Sequence, residues 1–125
     1  MSVQIVLDVT NEYNSGSQYG TQYQVTLDIG GFDYAVIQAV GATGDIAILS
    51  TNDSGDIQGV SDGSAVSSDN YVAISGTELA GGTLVGNITN NQLVRVQSVG
   101  RYLMLDGIAD EVTVTKLLVR LYKIH

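Results

Sequence analysis

Apolar and polar residues alternate with period two along most of this chain, the pattern of strands that bury one face. From Val3 to Val9 the odd positions Val3, Ile5, Leu7 and Val9 are apolar, while Gln4, Asp8 and Thr10 fall on the other face. Tyr23, Val25, Leu27 and Ile29 repeat the pattern against Gln22, Gln24, Thr26 and Asp28. Further strands are predicted at Tyr34–Val40, Asp45–Ser50, Tyr71–Ser75, Thr83–Ile88, Leu93–Gln97 and Tyr102–Leu105, with a long closing segment Val112–Ile124. In that last segment Val112 and Val114 are even-numbered, whereas Leu117, Val119 and Leu121 are odd-numbered. Such a parity switch near Lys116 predicts a β-bulge or a change of buried face. A helix is hard to place: the best candidate, Phe32–Val40, is β-branched and aromatic and sits between glycine pairs.

Turn chemistry punctuates these runs. Gly30-Gly31, Gly41-Ala42-Thr43-Gly44, Gly81-Gly82 and Asn90-Asn91 supply positions at which positive φ is cheap. Strands spaced roughly 8–12 residues apart predict an all-β, antiparallel sandwich of jelly-roll or immunoglobulin-like type. With 125 residues the chain is expected to form a single domain, 1–125. Two stretches read as long loops, a Tyr/Asn/Ser/Gly segment from Asn11 to Gly20 and an Asp/Ser/Gly segment from Thr51 to Asn70. Long loops in compact domains are usually functional or disordered.

Charge removes candidates. Thirteen acids against five bases give a net charge of −8, the wrong sign for wrapping a phosphate backbone, so no nucleic-acid partner is expected. The charges are segregated: residues 1–94 hold ten acids and no base, while 95–125 hold Arg95, Arg101, Lys116, Arg120 and Lys123 with three acids. This reads either as a solvated basic face or as a basic end that docks an acidic partner or a neighbouring copy. The N-terminal Met1–Asp8 has no basic region and an early Asp, so it does not read as a signal peptide. No apolar run approaches the ~18 residues of a membrane span. The chain has no Cys, and therefore no disulfide or thiolate metal site.

The catalytic readings are thin. Gly59-Val60-Ser61-Asp62-Gly63 matches G-x-S-x-G, but that motif needs a strand before it and a helix after it, and here it lies in a polar loop. The triad base would have to be His125, the one histidine. Asp53, Asp56, Asp62 and Asp69 lack the EF-hand spacing, with Ser64 where the bidentate Glu would stand. As neighbours on a strand, Asp110 and Glu111 would point to opposite faces, unlike the paired carboxylates of a glycosidase. No catalytic residue, metal or cofactor is expected. Tyr13, Tyr19 and Tyr23 straddle the first long loop, either as contact surface or packed back onto their own sheet.

The stretch from Thr26 to Gly107 resembles small β-sandwich proteins of tailed bacteriophages and prophages. The elements that carry the likeness are Leu27-Asp28-Ile29-Gly30-Gly31-Phe32-Asp33-Tyr34, then Gly41-Ala42-Thr43-Gly44-Asp45-Ile46-Ala47-Ile48, the loop Ser50-Thr51-Asn52-Asp53-Ser54-Gly55, Gly82-Thr83-Leu84-Val85-Gly86-Asn87, and Val99-Gly100-Arg101-Tyr102-Leu103-Met104-Leu105. Val112–Thr115 looks like that family's closing strand. Where the family often carries a tryptophan, this chain has Asp56-Ile57-Gln58. Residues 1–22 fall outside the shared pattern and read as an added strand and loop, an extension or arm.

The resemblance implies a virion component: a capsid decoration (cement) protein on the capsid surface, bound to the major capsid protein and self-associating as a homotrimer. The residues expected to meet partners are Val3, Ile5 and Leu7 on an uncapped edge strand, Tyr13 and Tyr19 in the loop, and Arg95, Arg101, Arg120 and Lys123 at the basic end. An alternative is a carbohydrate- or receptor-binding module of a fibre or tail, with Tyr13, Tyr19, Tyr71 or Tyr102 as stacking platforms. A third reading, resting on G-x-S-x-G alone, is a hydrolase using Ser61 and His125.

Overall fold

The computed structural model describes residues 2–16, 22–52, 71–97 and 102–124. Within them the order is β1 (Ser2–Asp8), α1 (Thr10–Ser15), β2 (Gln24–Asp28), β3 (Tyr34–Val40), β4 (Ile46–Thr51), β5 (Val72–Ala73), β6 (Gly76–Glu78), β7 (Leu84–Val85), β8 (Asn87–Ile88), β9 (Gln92–Gln97), β10 (Tyr102–Asp106), a 3-10 turn at Ile108–Asp110, and β11 (Lys116–Ile124). A six-stranded sheet runs β1-β11-β3-β9-β6-β7, and a five-stranded sheet is built from β2-β10-β4-β5 with β8 also on β4. Every described pairing is antiparallel. No helix among the described residues is long and apolar enough to cross a membrane.

The connectivity separates the two sandwich types. The first strand pairs with the last, the second with the second-last, the third with the third-last and the fourth with the fourth-last. The first four strands also alternate between the sheets. A folded ladder of nested pairs is the jelly-roll arrangement; in an immunoglobulin-like sandwich the first two strands share a sheet.

The core follows from the alternation. Ala35, Ile37 and Ala39 of β3, Leu117, Val119 and Leu121 of β11, and Val94 and Val96 of β9 meet Val25, Ile46, Ile48, Leu103 and Leu105 of the facing sheet. Fully burying one of these Val, Leu or Ile side chains is worth about 1.5–3 kcal/mol. The predicted turns carry positive φ at Gly31, Gly41, Gly82 and Asn91. Gly41 needs to be glycine twice over: its φ is +68°, and a Cβ there would run into the Thr115 side chain.

Two expectations change. A short helix does form, and it lies in the first long loop, where Thr10-Asn11-Glu12-Tyr13-Asn14-Ser15 is turn chemistry rather than helix-forming sequence. It is held by tertiary bonds: the Leu117 N–H donates to Thr10 Oγ1 (2.9 Å), and Asn14 both donates to the Val114 carbonyl (2.8 Å) and accepts from its N–H (3.1 Å). These bonds also explain the parity switch. Val112–Thr115 is not strand; its backbone bonds go to Gly107, Tyr13, Asn14, Thr43 and Val40, and Val112 and Val114 are both buried before the ladder begins at Lys116. Residues 2–16 are bonded to the rest of the sandwich through β1 on β11 and through Thr10, Tyr13 and Asn14.

Candidate docking surface

An antiparallel sheet that packs on one side normally shows polar residues on the other. The six-stranded sheet departs from this. Its register places Val6 of β1, Arg120 of β11, Val36 of β3 and Arg95 of β9 in one row across the outward face. The neighbouring rows add Leu118, Gln38 and Leu93 on one side, and Gln4, Tyr122, Tyr34 and Gln97 on the other. Among the described residues eight large apolar side chains are exposed, and five of them (Val6, Leu79, Leu84, Leu93 and Ile124) belong to this face. Three of the five, Val6, Leu79 and Leu93, gather at one groove, and apolar residues gathered in that way make the face a candidate interaction surface, whereas scattered ones do not. By contrast, outward positions of the five-stranded sheet (Gln24, Thr26, Thr51, Tyr102 and Met104) are buried.

The outward face contains a shallow groove of about 300 Å3, lined by Val6, Val36, Leu79, Leu93 and Leu118 together with Arg120. Arg120 Nη1 donates to Gln4 Oε1 at 2.8 Å, which holds the guanidinium over β1. Tyr34 and Tyr122 stack with centroids 4.5 Å apart and planes 10° from parallel, so their ring faces are turned to each other. Among the described residues of β1, β11, β3 and β9, the bases Lys116, Arg120 and Arg95 and the acid Asp8 occupy outward positions. Bonds from the Thr10 hydroxyl (2.6 Å) and amide (3.1 Å), with Lys116 adding to them, hold the Asp8 carboxyl below its usual range. Lys116 Nζ stands 3.7 Å from Asp8 Oδ2 with both side chains more than half exposed, a pair that contributes little to stability.

The face ends at β1, a seven-residue strand that pairs on one side, with β11, among the described residues, and it carries neither Pro nor Lys, two of the usual safeguards against strand addition. Ile5 on one side of it is 42% exposed and Val6 on the other 54%. Two other hollows carry acidic side chains: a polar one at the foot of β1 lined by Asp8, Thr10, Glu12 and Lys116, and a mixed one lined by Asp45, Asp106 and Asp110 with Ala47 and Ala109. No group of three or more His, Cys, Asp or Glu is placed to hold a metal among the described residues.

The expected partner residues divide. Arg95 and Arg120 fall in the same outward row, and Ile5 and Leu7 lie on the open edge, with Leu7 partly buried. Val3 holds its edge position opposite Lys123, which is exposed on the face of β11 away from Arg120. Tyr13 is withdrawn from the surface altogether: it is fully buried and its hydroxyl donates to the Val112 carbonyl at 2.8 Å. Burial pushes its phenol well above the usual range, with Asp106 and Tyr23 adding to the shift. Tyr71 and Tyr102 are buried too, which removes them as sugar platforms. Tyr19, Arg101, Ser61, His125 and the Asp53, Asp56, Asp62 and Asp69 group lie outside the described residues. Sequence reading missed Val36, Leu93 and Leu118; the signal was there in Val36-Ile37 and Leu117-Leu118-Val119, where alternation gives way to apolar residues on both faces.

No family model and no curated protein matches the sequence. A solved structure resembles the fold: the crystal structure of the SPBc2 prophage-derived protein YomS aligns with a TM-score of 0.63, covering 98% of this chain and 96% of that one at 14% identity. At that identity the likeness is one of fold. It spans the whole sandwich, β1 and α1 included, and therefore reaches beyond the Thr26–Gly107 pattern.

Proposed function

We propose that this chain is a non-enzymatic structural protein of a bacteriophage virion, a capsid decoration protein that binds the major capsid protein at the shell surface and braces it. The observation that carries the reading is the open, apolar and basic outer face of the six-stranded sheet, continuous with an unguarded edge strand. A monomer gains nothing from exposing such a surface, whereas a protein that works by contact needs it. The prophage-derived neighbour and the resemblance carried by Thr26–Gly107 supply the phage setting. The resemblance further implies a homotrimer over three-fold sites of the shell.

The test is to mix the purified protein with capsids of the cognate phage assembled without it, then image the particles and follow shell melting. Ordered density at regular positions and a higher melting temperature are expected; bare shells overturn the decoration reading. The fibre or tail glycan-binding alternative is weaker. Its described tyrosines are buried, and the half-buried pair Tyr34 and Tyr122 is stacked on itself rather than offering a flat ring.

A further inference from the structure

We propose that the outer face of the six-stranded sheet is the shell-contacting surface, and that it receives an acidic segment of the shell protein that leads with one large apolar side chain. The identity of this partner rests on the decoration reading above; the chemistry of the occupant rests on the face alone.

Three observations set that chemistry. The first is charge. Lys116, Arg120 and Arg95 stand on outward positions with Asp8 as the acid beside them, and Asp8 is already engaged by Thr10 and Lys116. A locally positive face on a chain of net charge −8 is complementary to an acidic surface. The second is the groove. At about 300 Å3 it sits at the bottom of the range of small-molecule pockets, about 300–1,000 Å3, and its lining, aliphatic apart from Gln38, Tyr122 and Arg120, suits an apolar anchor with polar groups around it. The third is the layout: Arg120 on β11 and Arg95 on β9 flank Val36 on β3, so the two guanidinium stems rise roughly 10 Å apart on either side of the apolar centre. One apolar side chain seated over Val36 thus has a base on each side for the carboxylates that accompany it.

A second copy of the chain fits this face poorly in two-fold pairing. An isologous contact brings two copies of the same basic patch face to face, so like charge opposes like across it. The acidic shell segment meets no such repulsion.

The experiment compares binding of the wild type, Arg95→Glu/Arg120→Glu, Leu93→Glu, and a control Asp45→Lys/Asp110→Lys to capsids assembled without the protein. All substitutions are at surface positions whose replacement leaves the fold intact, and the melting temperature of each free variant checks this. The expected result is at least a tenfold loss of affinity for the arginine pair and for Leu93→Glu, with the control bound as tightly as wild type. Wild-type binding that the arginine pair and Leu93→Glu leave unchanged overturns this inference while leaving the decoration reading standing. A wild type that leaves shells bare overturns both. A free wild-type oligomer that the arginine pair disperses to monomers assigns the face to a second copy, and also overturns the inference.

Discussion

Tyr13 shows how much of this structure hangs on single polar contacts inside the core. Its hydroxyl donates to the Val112 carbonyl at 2.8 Å, and the side chain has no exposed surface. Tyr13→Phe keeps the packing but leaves that carbonyl without its partner, so a loss of about 1–2 kcal/mol is expected in urea denaturation. The pH dependence carries a second signature. The folded phenol titrates above its usual value of 10.0, so the unfolded chain releases this proton first as pH rises. The stabilisation tied to Tyr13 is thus complete below about pH 10 and is lost as pH climbs towards the folded value. Wild type is expected to lose stability on the alkaline side more steeply than Tyr13→Phe; parallel alkaline limbs in the two proteins contradict it. Gly107 tests the same spot from the other side, because a Cβ there meets the Tyr13 hydroxyl and, at 2.9 Å, the Val112 Cβ. Gly107→Ala is expected to cost about 1–3 kcal/mol through overpacking. In the double variant with Tyr13→Phe part of that cost disappears, since the atom that collides is gone; strict additivity of the two losses speaks against a shared site.

At the scale of elements, β1 decides whether the N-terminal segment is a detachable arm or part of the body. It pairs with β11 along seven residues, from Ser2 opposite Ile124 to Asp8 opposite Leu118. Removing residues 1–8 strips that ladder and bares β11, and with roughly 0.5–1.5 kcal/mol per hydrogen bond the loss is expected to exceed about 3 kcal/mol. Circular dichroism melting reads it out, and an unchanged melting curve means the strand is dispensable. The elements themselves were legible wherever one rule sufficed. Apolar, β-branched and aromatic runs bounded by turn residues placed β3 at Tyr34–Val40, and runs of the same kind found β9 and β10 to within a residue of their ends. β6 at Gly76–Glu78 escaped, because a three-residue strand opening on glycine carries no period. Helix α1 escaped for a different reason: its Thr, Asn and Ser are poor helix formers, and what fixes them is bonding to residues a hundred positions away. The site was half legible. Charge segregation pointed to Arg95 and Arg120, but one-dimensional alternation assigns each strand one apolar face and has no place for Leu118 or Val36 on the other.

For the molecule as a whole, the docking face and the net charge oppose each other, and ionic strength separates them. A globule of this length has a radius of gyration of about 14 Å, which puts the far side of the molecule about 30 Å from the contact. At 0.01 M salt the Debye length is about 30 Å, so an approaching acidic surface feels the whole chain and its charge of −8. At 0.1 M it is about 10 Å, and the charges that count are those near the contact, Lys116, Arg120 and Arg95 against Asp8. At 1 M it shrinks to about 3 Å and little attraction survives beyond touching distance. The association rate with an acidic shell surface is therefore expected to rise from low salt, peak near 0.1 M and fall again towards 1 M. Arg95→Glu/Arg120→Glu turns the face negative, so only repulsion is left to screen and the rate should climb steadily with salt. Stopped-flow light scattering on purified shells measures both curves. A wild-type rate that falls throughout means that long-range attraction outweighs the net charge, while a rate indifferent to salt means that the bases on this face do not steer the encounter.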